Sequence, residues 1–253
     1  MIIDIDMGNT RIKWRIAGES NIFYLNSASE FPERWKALPK SSRFRVGSVL
    51  GVNQTRNFCD RLALHTDGVV EIAAVKSPTA GVSVAYQDVT SLGVERWLGL
   101  RAAHARHPVA DCVVIHAGTA LVADFLRADG QHLGGYIVGG WQTSLRFLGE
   151  AAPALTPSAE NLMGARRMHP GAATVECIEA GISLLFRGFF GELVCMASAL
   201  LHSPVWLFAG GDAENMLKVY EGLEKGDLSQ KYSSSDPKLV PGLVLDELAV
   251  ALP

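Results

Sequence analysis

Asp4-Ile5-Asp6-Met7-Gly8-Asn9-Thr10-Arg11 runs directly into Ile12-Lys13-Trp14-Arg15-Ile16. The first segment is a short apolar strand ending in a turn. The second alternates strictly, with Ile12, Trp14 and Ile16 on one side and Arg11, Lys13 and Arg15 on the other, the period of a half-buried strand. Residues 22–25 add a third strand, so the chain opens as an antiparallel meander. The turn at 6–10 collects an acid, a glycine, an amide and a hydroxyl. Those residues suit an ordinary hairpin turn. They equally suit a phosphate cradle: Gly8 lets backbone approach an anion, Asn9, Thr10 and the turn amides donate hydrogen bonds, and Asp6 holds Mg²⁺ directly or through water. The turn alone leaves both readings open.

The same pattern restarts at Asp111. Residues 112–115 form an apolar strand, His116-Ala117-Gly118-Thr119 a turn and residues 120–126 a second strand. Asp129-Gly130 is a hairpin signal, and residues 132–138 make the third strand. Around these meanders lie further strands at 44–49, 69–74 and 205–209. Helical patterns fall at 33–38, 53–65, 93–106, 141–149, 174–202, 213–223 and 240–252. The stretches 153–170 and 226–237 read as irregular or loop-like. The expected fold is therefore α/β and internally duplicated, with halves at 1–110 and 111–253. Two such halves facing each other would bring the two turns to the floor of a cleft, where a nucleotide is clamped.

Composition narrows the partners. The 253 residues are 48% hydrophobic and 19% charged, with a formal net charge of −3. That is a globular composition, and the absence of a basic block speaks against nucleic acid. The N-terminus carries Asp4 and Asp6 and lacks a basic leader, so it does not read as a signal peptide. The longest apolar run, 181–201, is interrupted by Arg187 and Glu192, and no membrane span is expected from it. Cys59, Cys112, Cys177 and Cys195 show no C-x-x-C spacing and read as reduced thiols of a cytoplasmic protein.

Several other stretches carry chemistry beside a plain structural alternative. In Gly93-Val94-Glu95-Arg96 a carboxylate near a helix start is electrostatically favourable in its own right. It is also where a general base and an anion-clamping arginine would stand together. Gly134-Gly135-Tyr136-Ile137-Val138-Gly139-Gly140 is a tight corner or a surface open to substrate. Thr174 is an N-cap or a hydroxyl facing a ligand. Gly210-Gly211 is a strand-to-helix turn or bare backbone on which an adenine ring rests.

Taken in order, these motifs resemble type III pantothenate kinase, a family that includes the Bvg accessory factor proteins. The resemblance rests on Asp6-Met7-Gly8-Asn9-Thr10, on Tyr86 seven residues before Gly93-Val94-Glu95-Arg96, and on His116-Ala117-Gly118-Thr119. It continues in Gly134 to Gly140, Thr174 and Gly210-Gly211-Asp212-Ala213. It implies duplicated ribonuclease H-like domains of the acetate and sugar kinase, Hsp70 and actin superfamily. It further implies a cytoplasmic homodimer that phosphorylates pantothenate with ATP and Mg²⁺, the first step toward coenzyme A. By position, Asp6, Met7, Gly8, Asn9, Thr10, Arg11, Ile12 and Lys13 surround the ATP phosphates, with Asp6 at Mg²⁺. Gly118 and Thr119 bind phosphate from the second turn, and Gly210 and Gly211 complete the ATP site. Tyr86, Gly93, Val94, Glu95, Arg96 and Thr174 contact pantothenate, and Glu95 is the catalytic base. Gly139 stands where the family pattern has a proline, and two further departures matter more. Glu95 stands for an aspartate, and His116 stands for an aspartate tied to a monovalent cation, K⁺ or NH₄⁺. Those departures motivate an alternative, a nucleotide- or pantothenate-binding accessory or regulatory protein with impaired catalysis.

Overall fold

The computed structural model describes residues 1–26, 35, 42–65, 68–152, 169–224 and 237–252. The expected helix at 33–38 and the loop-like stretches 153–170 and 226–237 lie mostly outside these residues. The chain forms two compact units, one of Met1–Arg106 with Gly242–Pro253 and one of His107–Pro241. This differs from the expected halves at the C-terminal end, because the last helix packs with the first unit.

The first unit holds strands β1 (Ile2–Met7), β2 (Ile12–Ile16), β3 (Phe23–Leu25), β4 (Arg43–Ser48) and β5 (Val70–Ile72). Its helices are α1 (Val52–His65), α2 (Val94–Arg106) and, from the C-terminus, α6 (Leu243–Ala251). The second unit holds β6 (Cys112–Ala117), β7 (Ala120–Leu126), β8 (His132–Gly139), β9 (Val205–Ala209) and β10 (Lys238–Leu239). Its helices are α3 (Trp141–Ala151), α4 (Thr174–Leu200) and α5 (Ala213–Glu224).

The two sheets have the same plan. Their orders are β3-β2-β1-β4-β5 and β8-β7-β6-β9-β10. In each, the first strand pairs antiparallel with the second, and parallel with a strand from later in the chain. The duplication inferred from the two meanders is thus present in the hydrogen-bond ladders themselves.

Strand β1 shows how pattern becomes packing. Ile3, Ile5 and Met7 enter a core with Ile12, Trp14, Phe44, Val46, Phe58 and Leu62. The alternate residues, Asp4 and Asp6, are also buried. On that second face Asp4 lies opposite both Arg15 and Arg45 in the ladders. Arg45 Nε donates to Asp4 Oδ1 at 2.8 Å, and Arg15 Nη1 reaches Asp246 Oδ1 of α6 at 2.5 Å. Charged contacts thus join the C-terminal helix to the sheet beside its apolar packing, in which Leu243, Leu245 and Leu248 are buried and a Cβ on Gly47 of β4 would lie 3.5 Å from Leu248 Cδ2.

In the second unit Val113, Ile115, Ala117, Leu121, Ala123 and Phe125 share one sheet face. They pack on Trp141 and Leu145 of α3, a stripe of α4, and Met216, Val219 and Tyr220 of α5. The α4 stripe is Ile178, Ile182, Phe186, Phe190, Leu193 and Ala197, recurring every three to four residues. Helix α4 is long and apolar enough to cross a membrane by length and composition, contrary to the expectation from Arg187 and Glu192. Its inner stripe is part of the unit's core, while Leu184 and Leu185 on its outer side are exposed.

Candidate functional site

The first turn is tight. The β1–β2 ladder closes at Met7↔Ile12, which leaves Gly8–Arg11 as the loop. The Gly8 amide donates to Arg11 O at 3.1 Å, and a Cβ on Gly8 would stand 3.1 Å from that same oxygen. Asn9, Thr10 and Arg11 are exposed at the tip. Asp6 sits at the foot of the turn, 7% exposed, with Lys13 as its ladder partner and Lys13 Nζ 3.8 Å from Asp6 Oδ2. Burial raises the Asp6 pKa, and Lys13 only partly offsets this through its charge and hydrogen bond. A dehydrated carboxylate with a single ammonium at that distance is undercompensated, which suits it to an added cation. No cluster of three or more His, Cys, Asp or Glu side chains able to hold a metal occurs among the described residues. Mg²⁺ at a nucleotide needs only one or two carboxylates, since phosphate oxygens and waters complete its shell. Asp6 fits that role.

The second turn is shorter than the sequence suggested. Strand β6 runs through Ala117, so His116 is a buried strand residue and the turn proper is Gly118–Thr119. His116 continues the ladder because its neighbours are β-formers paired on both sides, with Val122 and with Ala209. Two glycines from distant motifs buttress this turn. A Cβ on Gly140 would lie 1.9 Å from Gly118 O, and a Cβ on Gly210 would lie 2.2 Å from Ala117 O. Gly210 also has φ +103°, a left-handed conformation that favours glycine. Around them the Gly140 amide and Thr143 Oγ1 donate to Thr119 O at 2.9 and 2.7 Å, and the Asp212 amide donates to Ala117 O at 3.0 Å. Gly118 and Gly211 have open space where a side chain would stand.

These contacts give three of the motif glycines a spacing role. Gly140 and Gly210 are backbone spacers for the turn, and Gly135 makes room for Asp124, whose Oδ1 a Cβ would meet at 2.4 Å. Asp124 is fully buried and bonded to His132 Nε2 at 3.0 Å. Thr143 and Asp124 had not been singled out; nothing local in the sequence marks either. Gly140→Ala is expected to lower stability by roughly 1–3 kcal/mol, because overpacking against backbone cannot relax by a rotamer change. Chemical denaturation checks this, with Gly139→Ala as the control, since the nearest atom to a Cβ there is Ser144 Oγ at 3.5 Å.

In the first unit the loop before α2 assembles the remaining residues. Arg96, 5% exposed, donates from Nη1 to Tyr86 Oη at 2.7 Å, and its guanidinium carbon lies 5.4 Å from the centre of the Tyr86 ring. Glu95 is half-buried in the first turn of α2, Val94 is buried and Gly93 precedes them. Asp88 was missed by the sequence reading. Its carboxylate accepts from the Thr90 amide at 3.0 Å and from Thr90 Oγ1 at 2.6 Å, fixing the short 3₁₀ turn Val89–Ser91 ahead of Gly93. Those bonds lower the Asp88 pKa. The signal was present, since Asp two residues before Thr is a common side-chain-to-backbone turn. Thr174, in the second unit, is exposed at the first position of α4 and is not its N-cap. Ala173 occupies the cap, and Glu176 Oε2 instead accepts from the Ala172 amide at 2.9 Å.

The model of the type III pantothenate kinase family matches residues 2–195. The chain belongs to that family. It is 34% identical to the type III pantothenate kinase of Pseudomonas paraeruginosa, over 100% of this chain and 99% of the relative. It is 33% identical to that of Teredinibacter turnerae, over 96% and 98%. Among solved structures, a conserved putative Baf family transcriptional activator from Campylobacter jejuni superposes with a TM-score of 0.58 at 16% identity, covering 99% of this chain and 96% of the other. A putative 2-dehydro-3-deoxygalactonokinase from Sinorhizobium meliloti gives 0.55 at 15% identity, with 99% and 95% covered. At those identities the likeness shows the fold alone, an α/β fold of two mixed sheets, duplicated as expected from the two meanders.

Proposed function

We propose that this type III family member phosphorylates pantothenate with ATP to give 4'-phosphopantothenate, opening coenzyme A synthesis. The observation that carries the reading is the Tyr86–Arg96 pair beside Glu95. A guanidinium held by a tyrosine hydroxyl and ring is set to clamp a carboxylate, and a half-buried carboxylate next to it is set to meet a hydroxyl. Pantothenate carries both groups. When bound, ATP·Mg²⁺ supplies the γ-phosphoryl group and neutralises its charge.

The chain's residues then have separate tasks. Asp6 holds Mg²⁺ directly or through water, and Lys13 with the Gly8–Arg11 amides and side chains neutralises phosphate. Gly118, Thr119, Gly210 and Gly211 serve ATP from the second unit. Arg96, Tyr86, Gly93, Val94 and Thr174 place pantothenate. Glu95 takes the hydroxyl proton as the pantothenate oxygen bonds to the γ-phosphorus and the bond from that phosphorus to the departing ADP oxygen breaks. The His116 imidazole does not fit a potassium ion, which prefers oxygen ligands, so the site works without that cation. The reading carries with it a cytoplasmic homodimer with no nucleic-acid or membrane partner. The exposed Leu184 and Leu185 of α4 support association with a second copy.

A second reading rests on Glu95 and His116, which replace two family acids: an accessory protein that binds ligand without turnover. ADP release from ATP, with and without pantothenate and in K⁺ or Na⁺, separates the two. The kinase reading expects pantothenate-dependent release insensitive to the choice of cation. Glu95→Gln is expected to lower it by about a hundredfold or more with the fold intact. Pantothenate binding with no ADP release would favour the accessory protein.

A further inference from the structure

A buried ion pair in the first unit has no part in the chemistry above. Arg101 of α2 and Glu247 of α6 are each 4% exposed at the side chain, with Arg101 Nη2 3.0 Å from Glu247 Oε1. Burial pushes the Glu247 pKa up, against the pull of Arg101. Arg101 Nε, also buried, has no hydrogen-bond partner among the described residues. Such a pair gives little net stability, because desolvation offsets the attraction and apolar residues of similar volume serve as well.

The guanidinium carbon of Arg101 lies 4.8 Å from the ring centre of Trp97, a geometry in which a cation attracts the indole face. The indole Nε1 of Trp97 in turn donates to Lys76 O at 2.9 Å. Lys76 begins the loop that carries Tyr86, and that loop is fastened again where the Val84 amide donates to Ser77 Oγ at 3.0 Å. It ends at the Tyr86–Arg96 bond, one residue from Trp97 itself. The same helix also meets the loop lower down, where Gly81 is so close to His104 that a Cβ would stand 2.9 Å from Nε2. Glu247, Arg101, Trp97 and Lys76 O thus form one continuous chain from the C-terminal helix to the base of the substrate loop.

We propose that Arg101 and Glu247 are positioning residues: through Trp97 they fix the 76–86 loop, and so hold Tyr86 and Arg96 in the geometry that receives the substrate carboxylate. Neither touches the reacting atoms. The pair acts on the clamp for the substrate carboxylate and not on the groups that meet the reacting hydroxyl or ATP, so its loss raises KM for pantothenate and leaves kcat and KM for ATP in place. This rests on the pantothenate kinase reading for its kinetic test, and a second measurement is independent of it.

The informative variant is the double R101M/E247L, because either single change leaves a buried charge and endangers the fold. Thermal melting should show the double variant folded. Its KM for pantothenate is expected to rise about tenfold, with kcat and KM for ATP within about twofold of the wild type. Trp97→Phe, which keeps an aromatic ring but loses the N–H together with the second ring of the indole, is expected to shift KM in the same direction. Hydrogen exchange across residues 76–86 should accelerate in both variants, whether or not pantothenate is turned over. A folded double variant with unchanged exchange in that loop overturns the proposal. A wild type inactive on pantothenate, with exchange accelerated in the variants, overturns the kinase reading and leaves the coupling standing. Accelerated exchange with unchanged KM would overturn the link from loop to substrate.

Discussion

Asp6→Asn is expected to lower pantothenate-dependent ADP formation by at least about a hundredfold, while the unliganded protein melts no lower than the wild type. The two halves of this expectation come from the same fact. Asp6 is buried at the foot of the first turn, and burial raises its pKa despite Lys13 at 3.8 Å. A carboxyl whose folded-state pKa is raised stabilises the fold below its ordinary carboxylate range, and that contribution is lost as pH rises through the folded value. Near neutral pH the ionised group is therefore a burden on the apo fold. The isosteric amide lifts it but cannot provide the charge that Mg²⁺ requires. Stability of the wild type relative to Asp6→Asn should fall as pH is raised from the acid side. Added Mg²⁺ with ADP should raise the melting temperature of the wild type more than that of the variant. Turnover within tenfold of the wild type would remove Asp6 from the metal's side of the reaction. A large drop in melting temperature would mean that the carboxylate supports the turn rather than burdens it.

Much of this arrangement was written in local pattern. Two meanders, each with a glycine turn after an apolar strand, required no long-range information, and they are the two ladders of the duplicated sheets. The place of Asp6 at the foot of the turn was readable from residue type and pattern, while the pairing of Tyr86 with Arg96 joins two positions singled out through the family resemblance. What stayed hidden was set by tertiary contact. Gly140 and Gly210 lie far from Gly118 in sequence, and nothing in either motif states that both press on the same turn. The end of β6 was misplaced because His116 reads as a turn residue by composition, whereas pairing on both sides holds it in the strand. The C-terminal helix was expected with the second half because helix patterns carry no address. Its place in the first unit is made by contacts with residues more than a hundred positions away, among them Arg15 with Asp246 and Arg101 with Glu247.

That ionic attachment leads to the largest expected loss of stability. Asp4→Ala should destabilise the fold by roughly 3–5 kcal/mol, the range for removing one partner of a buried ion pair. Asp4 is 1% exposed at its side chain and Arg45 6%. Both Nε and Nη2 of Arg45 lie 2.8 Å from Asp4 Oδ1, and Arg15 Nε approaches Oδ2 at 3.4 Å. Removing the carboxylate leaves the Arg45 guanidinium buried without its counter-charge and loosens Arg15, which is bound at its other end to Asp246 of α6. The effect should therefore reach the C-terminal helix, which Arg43 and Arg45 also hold by donating to Leu252 O at 3.3 and 3.4 Å. Asp4→Asn, which keeps an acceptor of the same shape, should lose less. The double change Asp4→Ala with Arg45→Leu should recover part of the loss, because an apolar pair carries no unmatched charge. Urea denaturation of the four proteins measures this. An Asp4→Ala loss under about 1 kcal/mol would place the pair in the class of exposed surface bridges. A double variant no more stable than Asp4→Ala would mean that the lost contacts, and not the stranded charge, set the penalty.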